Sequence, residues 1–181
     1  MSATVTDAVI QAHTRELKLP AVAREYTGLA RQAAADGWRF EDYLKELLEA
    51  EIRSRRDHVA KARIHEAHFP DIKTLDQINW DAMAGVSRPA VAELATCGFI
   101  PEARDVVIAG PIGTGKTHLA IALGVEAARR RFRVVFIRAA ELVRELLEAR
   151  DARVLGRLHQ RLRRAHLLIV DELGFVPFDR T

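Results

Sequence analysis

The sequence is short of several things that would each open a class of function. Cys97 is the one cysteine among 181 residues, which excludes an intramolecular disulfide and a cysteine-based zinc site and fits a reducing compartment. A small buried core thiol is the expected state of this residue. Aromatic residues make up 6% of the chain, and their scarcity near the basic stretches argues against platforms on which single-stranded bases stack. No apolar run approaches the ~20 residues that span a bilayer. Asp7, Arg15 and Glu16 interrupt the N-terminal region where a signal peptide would keep an apolar core. A cytoplasmic protein with no membrane partner is expected. Internal repeats and low-complexity tracts are absent as well.

What is present suits a globular protein. Hydrophobic residues form 49% of the chain, and 28 Lys and Arg against 25 Asp and Glu leave a formal charge of +3 and a pI near 9.3. That length and composition can bury a core in one unit or two small ones. The mild positive balance permits nucleic-acid binding without requiring it.

Residues 1–69 read as helical throughout, punctuated near Pro20, Gly37 and Pro70. The clearest helix carries Phe40, Tyr43, Leu44, Leu47, Leu48 and Ile52 at three- and four-residue steps, with Glu41, Lys45, Glu49, Arg53 and Arg56 on the other face. A few short helices bury limited area alone, so this region is expected to pack on another domain or on another copy of itself. Residues 70–104, broken by Gly85, Pro89 and Gly98, read as the connecting segment. From residue 105 to 181 the periodicity becomes that of an α/β sheet: strand 105–109, a helix from the glycine loop to about Arg130, strand 134–137, helices 141–149 and 154–164, and strand 167–170.

Gly110-Pro111-Ile112-Gly113-Thr114-Gly115-Lys116-Thr117 matches G-x-x-x-x-G-K-[ST] between a continuous apolar run and a helix. Glycines allow successive backbone N–H groups to turn inward as an anion cradle, and the following helix aims the positive end of its dipole at the same place. In that chemistry Lys116 reaches the β and γ phosphate oxygens and the Thr117 hydroxyl ligates Mg²⁺. Leu167 to Val170 is a second apolar strand, and it ends in Asp171 and Glu172. Asp171 is the expected magnesium-shell carboxylate. Glu172 is the expected general base that orients water toward the γ phosphate. No N-K-x-D or T-K-x-D stretch that reads guanine is present, so ATP with Mg²⁺ is the expected ligand.

These residues resemble the IstB-like ATPases, transposition helpers of bacterial insertion sequences and relatives of the DnaC-type helicase loaders within the AAA+ class. The resemblance covers nearly the whole chain. It is carried by Leu17-Lys18-Leu19-Pro20, the helix from Trp38 to Arg56, the phosphate loop continuing through His118, Leu119 and Ala120, and the run from Asp171 through Leu173-Gly174-Phe175-Val176-Pro177-Phe178-Asp179-Arg180. It implies a P-loop NTPase core of the AAA+ type behind an all-α N-terminal region, with His118 part of the loop's pattern. It further implies ATP-dependent self-assembly on double-stranded DNA, recruitment of a transposase, and an N-terminal region serving assembly and partner contacts. A helicase loader keeps the same chemistry with a different partner. Family members continue into a strand with a polar sensor residue and an arginine that reaches a neighbouring subunit's nucleotide. In the AAA+ sheet order that strand lies between the phosphate-loop strand and the Asp171 strand. With the chain ending at Thr181, the expectation is a fragment that binds ATP weakly and turns it over little, or a nucleotide-binding remnant without turnover.

Two further groups invite readings. Arg129, Arg130, Arg131, Arg133, Arg138, Arg144, Arg150, Arg153, Arg157, Arg161, Arg163 and Arg164 crowd into 36 positions against Glu141, Glu145, Glu148 and Asp151. They form either a duplex-facing surface contacting phosphates or a set of solvated helix faces. Arg53, Arg55, Arg56, Lys61 and Arg63 carry the same two readings. His65 and His68 have a spacing that could hold a metal, but no third ligand accompanies them, and a solvated pair is expected.

Overall fold

The computed structural model describes residues 2–83 and 85–175, and the chain divides into two compact units, Met1–His58 and Val59–Thr181. The helical periodicity of the first region resolves into α1 (Ser2–Glu16), α2 (Pro20–Asp36) and α3 (Phe40–Glu66). α2 starts on Pro20, whose missing N–H costs nothing at that position, and stops at Gly37 in the left-handed conformation (φ +65°). Glu41 and Asp42 in the first turn of α3, with Arg63 and His65 in its last, complement the helix dipole.

The start of α2 has a cap its local sequence cannot supply. Leu19 at the N-cap has no side-chain acceptor, and the free amides of Ala21 and Val22 donate instead to Oε2 of Glu51 on α3, at 2.9 and 3.3 Å. Arg55 donates to the other oxygen of Glu51 at 2.8 Å and to the Lys18 carbonyl at 2.6 Å. Tyr43 donates to the carbonyl of Tyr26 at 3.0 Å. Burial pushes the Glu51 carboxyl upward, yet the bonds from Arg55 and the two amides outweigh it and hold it below the usual glutamate range.

The apolar stripe read as one face of α3 is two. Leu47 and Ala50 are buried beside Glu51, whereas Phe40, Leu44, Leu48 and Ile52 face outward. The side of α3 that carries Tyr43 and Glu51 is the one turned to α2, and the row of Phe40, Leu44, Leu48 and Ile52 lies outside it.

In the second unit the 310 turns Leu75–Gln77 and Trp80–Ala82 lead to α4 (Arg88–Ala95), capped by Ser87. Beyond the glycine loop come α5 (Lys116–Arg129), β1 (Val134–Arg138), α6 (Ala139–Asp151), α7 (Leu155–Arg163), β2 (Leu167–Asp171) and a 310 turn at Leu173–Phe175. β1 and β2 pair in parallel from Val134 opposite Leu167 to Arg138 opposite Asp171, with α6 and α7 as the crossover. This is the α/β arrangement of a P-loop protein behind a helical N-terminal region.

α5 is the centre of the core. Leu119, Ile121, Ala122, Leu123, Val125, Ala127 and Ala128 are all buried. Leu119 and Leu123 pack with Ile78, Met83 and Val91, so the segment expected to connect domains is part of this unit's core. Ile121 and Val125 pack with Phe136, while Ala127 and Ala128 meet Ala67, Cys97 and Val134. Cys97 is the buried thiol expected from sequence, and that burial raises its pKa.

Residues 105–109, expected as a strand, belong to no ladder among the described residues. A strand exists only through its hydrogen-bonded neighbour, and Val107 is left 88% exposed. Among the described residues no helix is long and apolar enough to cross a membrane.

The Glu51 cap makes a directional prediction. Its folded-state pKa is lowered, so its contribution is complete above the ordinary glutamate value of about 4.3 and is lost as pH falls through the lower folded value. In urea titrations Glu51→Gln is expected to cost about 1–2 kcal/mol at neutral pH, and the gap to the parent should close as pH is lowered to about 3.

Candidate nucleotide site

The loop from Gly110 to Thr117 follows residues 105–109 and enters α5 through two left-handed glycines, Gly113 (φ +80°) and Gly115 (φ +83°). Gly115 is the N-cap of α5, and no side chain caps this helix start. Its first-turn amides are therefore directed at the loop rather than used internally. Inside the loop Thr114 donates to the Pro111 carbonyl at 2.9 Å, and the Lys116 ammonium donates to the same oxygen. The only cation of the loop is thus folded onto a neutral acceptor.

Thr117 lies one residue into α5, and its hydroxyl sits 3.1 and 3.0 Å from the two carboxylate oxygens of Asp171, 54 residues away at the end of β2. The two motifs read separately from sequence meet at this contact. Both side chains are half-buried. Glu172, one residue beyond, is exposed and lies in the left-handed region at φ +58°. A non-glycine residue pays for that conformation, which occurs where surrounding structure dictates the chain path. Arg138, paired with Asp171 in the strand register, places its Nε 3.9 Å from the Glu172 carboxylate. Both partners are more than half exposed, so the pair is weak.

Of the residues singled out by sequence, Gly110, Pro111, Ile112, Gly113, Thr114, Gly115, Lys116 and Thr117 form one loop, and Asp171 joins it through Thr117. Ile112 is 85% exposed. His118 turns away from the loop toward the chain before it, with Nε2 donating to the Thr74 carbonyl at 3.3 Å. Val176 to Arg180, part of the motif after the acidic pair, lie outside the described residues.

Sequence reading overlooked two neighbours. Met83 packs its side chain against Gly115, within 3.7 Å of where a Cβ would stand. No sequence signal marked it, because a methionine in an irregular segment has no periodicity. Arg138 reads in sequence as part of the basic stretch, although its place as the polar residue closing an apolar run, like Asp171, is a signal that the two share an edge. Among the described residues no cluster of His, Cys, Asp and Glu could hold a metal ion by itself.

Two glycines separate loop geometry from general helix propensity. Gly115→Ala puts a Cβ on a left-handed backbone and is expected to lose about 1–2 kcal/mol in chemical denaturation. Gly28→Ala, in α2 with nothing within 4 Å of the new methyl, should gain about 0.5–1 kcal/mol by helix propensity.

Comparison with known proteins places this geometry in a family. The pattern described as IstB-like ATP binding protein matches residues 12–181. A Pseudomonas aeruginosa protein named as the ATP-binding protein of insertion sequence IS21 is 35% identical over 164 residues, 91% of this chain and 62% of the relative. The corresponding protein of insertion sequence IS5376 from Geobacillus stearothermophilus is 34% identical over 94% of this chain and 68% of its own length. A Sinorhizobium fredii insertion-sequence ATP-binding protein is 31% identical over 98% of this chain and 60% of its own. The chain therefore spans between 60% and 68% of the length of these relatives. With the phosphate-loop geometry and the matched extent taken together, the chain belongs to the IstB-like ATP binding protein family.

Proposed function

We propose that this chain binds ATP with Mg²⁺ at the Gly110–Thr117 loop and acts in the cytoplasm as a DNA-associated, self-assembling helper of a transposase. The observation that carries the reading is the Thr117 hydroxyl lying on the Asp171 carboxylate. A hydroxyl and a carboxylate are the hard oxygen donors that Mg²⁺ takes from a protein beside substrate phosphates. The residues present fit the ion, with Thr117 and Asp171 as those that would hold it. Bound there, it supplies neutralisation of phosphate charge. The chain's own residues do the rest. The amides of Gly113 to Lys116 and the start of α5 hold phosphate oxygens by hydrogen bonding and dipole. Lys116 exchanges the neutral Pro111 carbonyl for phosphate oxygens, where the bond becomes charge-assisted. Glu172 accepts the proton of a water directed at the γ phosphate.

The transposase assignment rests on the relatives, which are named for insertion sequences. DNA contact is supported by where the arginines lie. Arg131 and Arg133 precede β1, Arg163 and Arg164 precede β2, and all four are exposed. The parallel register brings them to the strand-start edge of the sheet. None of the four forms an ion pair with another described residue. Arg129, Arg138, Arg144, Arg150 and Arg161 are paired with carboxylates, while Arg130, Arg153 and Arg157 share with the four the lack of an ion pair among the described residues. The basic edge is thus opposite the strand ends that carry Asp171.

Calorimetry of ATP and Mg²⁺ added to the folded chain tests the site: heat of binding is expected, and Lys116→Ala should abolish it. No heat from the folded parent would overturn the reading. Glu172→Gln should retain binding and lose whatever phosphate release the parent shows, by about 100-fold or more. Duplex binding should weaken steeply with salt. Neutralising Arg131, Arg133, Arg163 and Arg164 together should lower the log–log salt slope by roughly 3 to 4, and an unchanged slope removes this edge from the DNA contact.

A further inference from the structure

The outward row of α3 leaves four large apolar side chains uncovered. Phe40, Leu44, Leu48 and Ile52 follow each other at four-residue steps and are 90%, 55%, 49% and 47% exposed. Their neighbours on the inward side, Leu47 and Ala50, are 7% and 3% exposed, so the contacts of α3 within its own unit are made by a different row. A continuous apolar row of this kind marks an interaction surface.

The adjacent row, three residues back on the helix lattice, states what fits there. It reads Glu41, Lys45, Glu49, Arg53, alternating in sign along the helix. Lys45 and Arg53 each lie 3.6 Å from Glu49, and all three side chains are more than 40% exposed. Such pairs hold the helix surface only weakly and can be redirected. Read backwards the row becomes Arg, Glu, Lys, Glu. A copy of the same helix laid antiparallel across a two-fold axis brings this row against itself and sets Lys45 against Glu49 on either side of the crossing point, whereas a parallel copy does not oppose the row to itself. The apolar row needs no such sense of direction, since reversal places Phe40 near Ile52 and Leu44 near Leu48. Ridges four residues apart on two helices pack well at a steep crossing.

We propose that this face of α3 is an isologous, antiparallel interface with a second copy of the chain. The inference names the surface for the self-assembly proposed above and rests on that part of the reading, independently of the nucleotide site. One helix pair lies at the small end of specific interfaces, so association belongs in the micromolar range.

Sedimentation velocity on the full chain from about 1 µM to about 100 µM brackets such an affinity. A monomer–dimer equilibrium is expected. Leu44→Asp with Leu48→Asp should leave a monomer of unchanged helical circular dichroism, because both residues are exposed. Lys45→Glu should weaken the dimer roughly tenfold by placing carboxylates against each other, and adding Glu49→Lys should restore it to within about threefold by re-forming the opposite pairing. A parent that stays monomeric at the highest concentration, or a dimer that survives the two aspartates, overturns the interface. A dimer indifferent to Lys45→Glu overturns its antiparallel sense. ATP calorimetry on the same samples separates the two readings: heat without a dimer rejects only this interface, and a dimer without heat rejects only the nucleotide site.

Discussion

The packing of α5 is what the second unit depends on. It is apolar on every side that matters, and it is narrow where it meets the sheet: a Cβ on Gly124 would lie 2.7 Å from Ile169 Cδ1 and 2.9 Å from the ring of Phe69. That closeness, with Ala127 and Ala128 fully buried beyond it, draws the helix onto the strands. Because the phosphate loop is the N-terminal continuation of this helix, the same packing carries Thr117 to the end of β2. A helix held two or three ångströms farther out would leave the hydroxyl beyond hydrogen-bond reach of Asp171. The site is thus a consequence of core packing, and the loop supplies only its chemistry.

The unit is also polarised by its parallel strands. At their C-terminal ends stand Asp171, Glu172 and Arg138, beside a loop whose amides and lysine favour anions. At their N-terminal ends stand arginines with no carboxylate partner among the described residues. Parallel strands produce such segregation naturally, since both carry their flanking residues to the same edge. The two edges of this small sheet therefore carry separate sets of cations.

The helical unit follows another logic. Its inner contacts include a buried carboxylate rather than apolar groups alone. Glu51 is tolerated because three donors satisfy it, and it in turn satisfies amides that Leu19 and Pro20 leave open. That arrangement fixes the register of α2 against α3, and with it which residues of α3 point inward. The outward row of Phe40, Leu44, Leu48 and Ile52 is what remains.

How much of this was legible beforehand follows from the range of each interaction. Helices and strands were readable because periodicity records local geometry: α5, β1, α6, α7 and β2 each fall within a few residues of their expected limits. The phosphate loop was readable because its glycines and lysine are consecutive, and Asp171 with Glu172 because an apolar strand ending in acids is a compact signal. Residues 105–109 look like a strand in isolation and lack a ladder, since pairing is a property of two segments. Whether Tyr43 or Leu44 faced inward, that Glu51 would cap a helix thirty positions earlier, and that Met83 would lie against Gly115 were likewise decided by contacts between distant segments. The amino-acid order by itself determined the elements and the chemical groups they carry. Only the tertiary structure decided which groups meet, because burial and hydrogen bonding across 54 residues depend on how helices and strands fill a common core.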